Sequence, residues 1–139
     1  MQVVNSVYPS ADQIVSFFGS PEDGAFVMVN LLKFKPVASY ADGTDTNLTG
    51  AEAYARYGVA VAKLVAKHGG RMLYSGRVTG LLLGQCVELW DMVALVEYPS
   101  LKALQAMVTS AEYQAIEKHR AAGLEGQLNI RTKAAIANP

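Results

Sequence analysis

The sequence predicts an α+β domain built on an antiparallel sheet. Three observations lead there. Four helix-start signals alternate with apolar segments of strand length. The order of these elements pairs strands across short connections. Two of the segments are apolar at both odd and even positions, so their sheet needs cover on both faces.

Size and composition agree with a single domain. The chain has 139 residues, of which 51% are hydrophobic and 17% charged. That mix can bury a core without disulfides or a structural metal. The first helix is signalled by Ser10-Ala11-Asp12-Gln13, where a hydroxyl and an amide at capping-box spacing satisfy exposed backbone donors. It is expected to end near Gly19, so residues 1–24 form an N-terminal helical extension. Residues 26–34 then read as a strand. Residues 36–50 are rich in Asp, Thr, Gly and Asn and read as a long loop. A loop of about 15 residues is either a lid over a site or a tolerated surface insertion.

Thr49-Gly50-Ala51-Glu52 repeats the capping-box spacing before the longest helix, residues 51–68. Tyr54, Tyr57, Val61, Leu64, Val65 and His68 share one stripe of that helix, and Glu52, Arg56, Lys63 and Lys67 lie opposite. Gly69 stands where a left-handed residue closes a helix. Residues 71–83 form a second strand, bent at Gly76 and Gly80. Residues 87–98 form a third. Tyr98-Pro99-Ser100 opens a helix near residue 101. Thr109-Ser110-Ala111-Glu112 opens another, running to Ala122 and stopping at Gly123. Residues 126–133 form the last strand. After the first helix this is the β-α-β-β-α-β order of a ferredoxin-like fold, with its second helix broken in two.

The two-sided strands carry a further expectation. Val27, Val29 and Leu31 are as apolar as Phe26, Met28 and Leu32, and residues 89–96 behave likewise. Two helices cover one face of a sheet. A second copy of the chain is the natural cover for the other, giving a homodimer through the sheet face.

Several function classes are excluded or disfavoured. Lys+Arg and Asp+Glu both number 12, so the chain lacks the basic excess of a nucleic-acid binder or a polybasic membrane helix. Apolar runs such as Leu81-Leu82-Leu83 are far short of the roughly 20 residues that span a membrane. The N-terminus does not read as a signal peptide, so a cytoplasmic location is expected. Cys86 is the single cysteine, and His68 and His119 lack metal-ligand spacing, so neither a metal nor a cofactor is expected. Gly76, Gly80 and Gly84 recur on a strand and turn rather than before a helix, so they are no phosphate cradle.

Val29-Asn30-Leu31-Leu32-Lys33-Phe34, Tyr54-Ala55-Arg56-Tyr57 and Gly69-Gly70-Arg71 form a recognisable set with Trp90-Asp91, residues 94–100 and Ser110-Ala111-Glu112-Tyr113. Together they resemble DUF1330, an uncharacterised bacterial family of the dimeric α/β-barrel superfamily. The resemblance covers roughly residues 25–133. It implies a ferredoxin-like protomer whose sheet meets its partner's sheet in a barrel. The superfamily also holds cofactor-free monooxygenases, haem-degrading enzymes, cyclases and isomerases, with sites between sheet and helices. Its oxygenases place an Asn on the first strand and a Trp on the sheet, and Asn30 and Trp90 are similar in position. Fold alone assigns no chemistry.

The candidate catalytic residues are Asn30, His68 and Tyr57. An amide in an apolar strand has either a structural partner or a pocket to face. His68 closes the buried stripe of its helix and is either a proton carrier or a packed, bonded imidazole. Tyr57 and Tyr54 meet the sheet as phenols that bind an oxygen or simply fill the core. Trp90, Tyr74, Arg71 and Tyr54 are the candidate ligand contacts. Arg71 and Arg77 share a parity and are placed to clamp a carboxylate or to pair with Asp91 or Glu97. Lys33 points away from Asn30. His119 is expected on an exposed helix face. The function expected from all this is a homodimer binding a small, largely apolar organic molecule, with cofactor-free isomerase, cyclase or monooxygenase chemistry as its enzymatic form. The alternatives are a non-catalytic accessory dimer and a haem-binding or haem-degrading protein.

Overall fold

The computed structural model describes residues 3–22, 24–45 and 47–135. The capping signals place every helix start. In α1 (Ala11–Phe18) the Ser10 hydroxyl accepts from the Gln13 amide at 3.1 Å, and Gln13 Oε1 accepts from the Ser10 amide at 2.9 Å. In α2 (Gly50–Lys67) Thr49 and Glu52 repeat the pair at 3.1 and 2.9 Å. Ser100 caps α3 (Leu101–Val108) and Ser110 caps α4 (Ala111–Gly123). Each cap satisfies amides that the first turn leaves bare. Gly69 follows α2 at φ +82°, the left-handed closure its position required.

The strands are β1 (Phe26–Phe34), β2 (Arg71–Arg77), β3 (Met92–Tyr98) and β4 (Leu124–Thr132), in the sheet order β2-β3-β1-β4 with every neighbour antiparallel. This is the ferredoxin-like α+β arrangement. The four-stranded sheet is open within one chain and does not close into a barrel. No helix among the described residues is long and apolar enough to cross a membrane.

Two expected strands are shorter than their apolar content suggested. β2 stops at Arg77 rather than 83, and β3 starts at Met92 rather than 87. The last rung of their ladder is the Val78 amide to the Asp91 carbonyl at 3.0 Å. Residues 79–88 are exposed throughout and turn through a left-handed Gly84 at φ +94°. Apolar residues there find no strand to pair with inside the chain.

One sheet face carries the core. Phe26, Met28, Leu32, Ala94, Val96 and Tyr98 are buried there beneath Tyr57, Val61, Leu64 and Val65 of α2 and Leu104 and Met107 of α3. On the opposite face, Val29 lies between Leu95 and Ile130, and Leu31 lies between Val93 and Leu128. These side chains are only half-buried or exposed, because all helices lie on the other side.

The loop of residues 36–50 is anchored rather than free. Lys35 N bonds Gly123 O at 2.8 Å, Ala38 N bonds Leu48 O at 2.9 Å and Ser39 N bonds Ala122 O at 3.0 Å. Ala38 and Tyr40 form a second small core with Ala53 and Ala122. Gly50 and Gly123 let the start of α2 meet the end of α4 backbone to backbone; a Cβ on either would strike the other's carbonyl.

Candidate functional site

Asn30 stands on the helix face of β1, two residues from Met28 and Leu32. Its Nδ2 donates to the Ala94 carbonyl at 3.1 Å, and its Oδ1 accepts from Gln127 Nε2 at 2.8 Å. Gln127 Oε1 accepts in turn from Arg120 Nη2 at 2.7 Å, and Arg120 Nη1 pairs with Glu117 at 3.1 Å. The chain of bonds runs from α4 through β4 and β1 to β3. It satisfies the buried Gln127, which is 8% exposed.

Beside it lie three phenols. Tyr57 and Tyr113 share a hydrogen bond of 3.0 Å, with their rings edge to face at 6.0 Å. Tyr54 stacks between Tyr57 and Phe34, each at 5.3 Å. Burial drives the Tyr57 pKa well above its ordinary value. Burial, against the nearby Arg120 charge, pushes Tyr54 up to about 12. Tyr113 is likewise pushed by burial up to about 12, although the Tyr57 bond works the other way. Phenols held this firmly protonated donate hydrogen bonds and make poor bases at neutral pH. Burial opposes the Arg120 charge, but Glu117 and the neighbouring phenols outweigh it and raise its pKa.

The remaining sequence candidates lie apart from this cluster. His68 caps α2, and its Nδ1 bonds the Leu64 carbonyl at 2.9 Å. Eleven residues of helix set it about 16 Å along the axis from Tyr57. Trp90 precedes β3 and donates to Asn5 Oδ1 at 2.9 Å, which pins the N-terminal segment where Ser6 bridges Gln127. Tyr74 is 59% exposed on the bare sheet face, opposite Leu95. Arg71 pairs with Glu97 at 2.9 Å. A bulge between Met72 and Tyr74 corrects the shared parity expected for Arg71 and Arg77. Arg71 faces Glu97 on the bare face, whereas Arg77 lies opposite Met92 on the helix face. Lys33 points to the bare side, bonded to Leu89 O at 3.2 Å and 3.5 Å from Asp91.

The larger hollow is an open cleft of about 540 Å³ where the N-terminal end of α2 meets the sheet. Phe34, Pro36, Val78 and Met92 supply apolar wall, and Lys35, Thr49, Arg77 and Asp91 supply polar rim. Asp91 is committed to structure, since its Oδ2 accepts from the Phe34 amide at 2.8 Å. Thr49 is held in its capping box. Arg77 is exposed and makes no ion pair among the described residues. A smaller hollow of about 250 Å³ lies beside Phe26, Leu101 and Arg131. There the Arg131 guanidinium covers the Phe17 ring at 4.8 Å, and its buried Nη1 has no hydrogen-bond partner among the described residues.

Sequence reasoning missed two groupings. Tyr113, Glu117 and Arg120 recur at helical spacing, a signal that would have placed them on one face of α4. His119 is not on a free face: its Nδ1 meets the Tyr40 hydroxyl at 2.7 Å, with Arg56 Nη1 3.5 Å from the same oxygen. Nothing local linked Tyr40, in a polar loop, to a helix 79 residues later. Among the described residues no three His, Cys, Asp or Glu side chains gather as a metal would need.

The family model for a domain of unknown function, DUF1330, matches residues 44–133. The chain belongs to this family. The crystal structure of a protein of unknown function from Rhodopseudomonas palustris is 33% identical, covers 96% of this chain and all of its own, and superposes with a TM-score of 0.86. Two more distant structures share the fold alone. A candidate antibiotic biosynthesis monooxygenase from Caulobacter crescentus is 19% identical over 82% of this chain and 92% of its own, with a TM-score of 0.56. A dimeric protein of unknown function and ferredoxin-like fold from Bacteroides fragilis is 17% identical over 80% and 97%, with a TM-score of 0.54. The chain matches no curated protein.

Proposed function

We propose that this DUF1330 protein is a homodimer that binds a small, largely apolar organic molecule in the cleft at the N-terminal end of α2. The cleft carries the reading: about 540 Å³ of space with an apolar wall and a few polar groups at its rim suits a small organic ligand. Homodimerisation is supported by the bare apolar sheet face, and a dimeric neighbour has the same fold. Binding rather than turnover is the assigned role. Asn30, Tyr57 and His68 all direct their polar atoms at protein partners and none lines the cleft. Tyr54, one of the expected ligand contacts, packs on Phe34 of this wall with ring centroids 5.3 Å apart.

Methyl-resolved NMR with 1-naphthol as probe tests the reading. Saturable shifts are expected at Met92 and Val78, and Met92→Trp should abolish the Val78 shift while leaving the melting temperature within a few degrees. Absent shifts, or shifts scattered over the whole surface, would sink it.

A further inference from the structure

Between β2 and β3 the chain leaves the domain. Residues 79–88 are exposed at every position, yet they carry Leu81, Leu82, Leu83 and Val87 at 52, 102, 85 and 103% exposure. Leu82 and Val87 are therefore fully exposed in their own protomer. The segment is closed at its root by the bond between Val78 and Asp91, so it projects as one unit. Aliphatic side chains clustered in water are a surface awaiting a partner.

We propose that residues 79–88 are an arm that clasps a second copy of this chain. The proposal rests on the homodimer reading and says what completes that interface. The arm springs from the two strands that bear Tyr74, Val93 and Leu95, and Leu89 at its base bonds Lys33 on the bare face, so it leaves the domain beside that face. Area favours the continuation. Four strands about 4.8 Å apart and about seven residues long at about 3.3 Å each give a face of roughly 440 Å². A stable interface takes about 800 Å² from each partner. Four aliphatic side chains at about 80 Å² each bring the total close to that figure. A twofold pair also matches the geometry, because each protomer then gives one arm and receives one, and both bare surfaces are covered by the same operation.

Sedimentation velocity over a range of protein concentrations tests this. The double variant Leu82→Ser, Val87→Ser alters side chains that are fully exposed in the protomer, so its circular dichroism should match the wild type. Its dimer dissociation constant should rise on the order of a hundredfold. Leu95→Asp, in the centre of the bare face, should abolish the dimer. If the arm variant dimerises like the wild type while Leu95→Asp does not, the arm proposal is overturned and the sheet-face homodimer stands. If the wild type is monomeric throughout, both fall.

Discussion

The two faces of this sheet are built from the same residue types and meet different fates. On β1, Leu32 is completely buried while its neighbour Leu31 is only half-buried. Both are leucines in the same strand, Leu31 between Val93 and Leu128 and Leu32 between Met92 and Gln127. The difference is that α2, α3 and α4 all cross one face, and no helix among the described residues crosses the other. Apolar patterning thus states that a surface is to be dry. It does not state which chain will dry it.

That contrast is sharpest in a pair of truncations. Leu32→Ala should lower the unfolding free energy by about 2–5 kcal/mol, through a cavity that the surrounding core only partly refills. Urea denaturation should show that loss at any protein concentration. Leu31→Ala should cost less, and its cost should grow with protein concentration, as the proposed sheet-face homodimer requires. A concentration-independent loss of equal size at both positions would mean that the two faces do not differ as argued.

The buried polar chain on the helix face makes the next largest demand. Gln127 joins Asn30 to Arg120, so Gln127→Ala strands an amide oxygen and a guanidinium at once. A loss of about 1–3 kcal/mol is expected, with Asn30→Ala producing a partly overlapping loss. A double-mutant cycle reads the overlap, and strict additivity would show that the bonds are not one network.

Much of this fold was legible because its signals are local. Capping boxes at Ser10 and Thr49, the stripe on α2 and the left-handed Gly69 each depend on a few adjacent residues. The extents of β2 and β3 were not legible, because an apolar residue becomes strand only where a neighbour offers a ladder, and Leu81–Leu83 have none. The bulge beside Leu73 likewise reversed the parity of Arg77, an outcome set by pairing with β3 rather than by composition. The site fared worse for the same reason. Asn30 was visible as an amide out of place, but its partners Gln127 and Ala94 lie 97 and 64 residues away. The cleft itself is assembled from three strand ends and a helix start.

Alkaline titration separates the helix face further. Burial raises Tyr54 and Tyr113 to about 12, above the value near 10 of an unfolded phenol. Their contribution to stability is complete below about pH 10 and is lost as pH rises through 12. Absorbance of phenolate near 295 nm should therefore show a late-ionising class that merges with the ordinary class when the protein is unfolded in urea. Tyr113→Phe removes one member of that class and breaks the 3.0 Å bond to Tyr57.

The smallest effect belongs to the second core, away from both sheet faces. Tyr40, 9% exposed, meets His119 at 2.7 Å and holds the long loop against α4. Burial first, then the Lys118 and Arg56 charges, lower the His119 pKa below 6.5, against a weaker pull from Asp45. The unfolded chain then binds more protons than the folded one, so the neutral-imidazole contribution is present above about pH 6.5 and fades as pH falls through the folded value. Loop amides near Ala38 and Leu48 should exchange hydrogen faster under mild acid, after correction for intrinsic rates, than at neutral pH. His119→Gln keeps a hydrogen-bond partner for Tyr40 but cannot titrate there, and should flatten that dependence. If exchange in the variant still accelerates to the same degree, the pH response comes from elsewhere, and the Tyr40–His119 contact is packing alone.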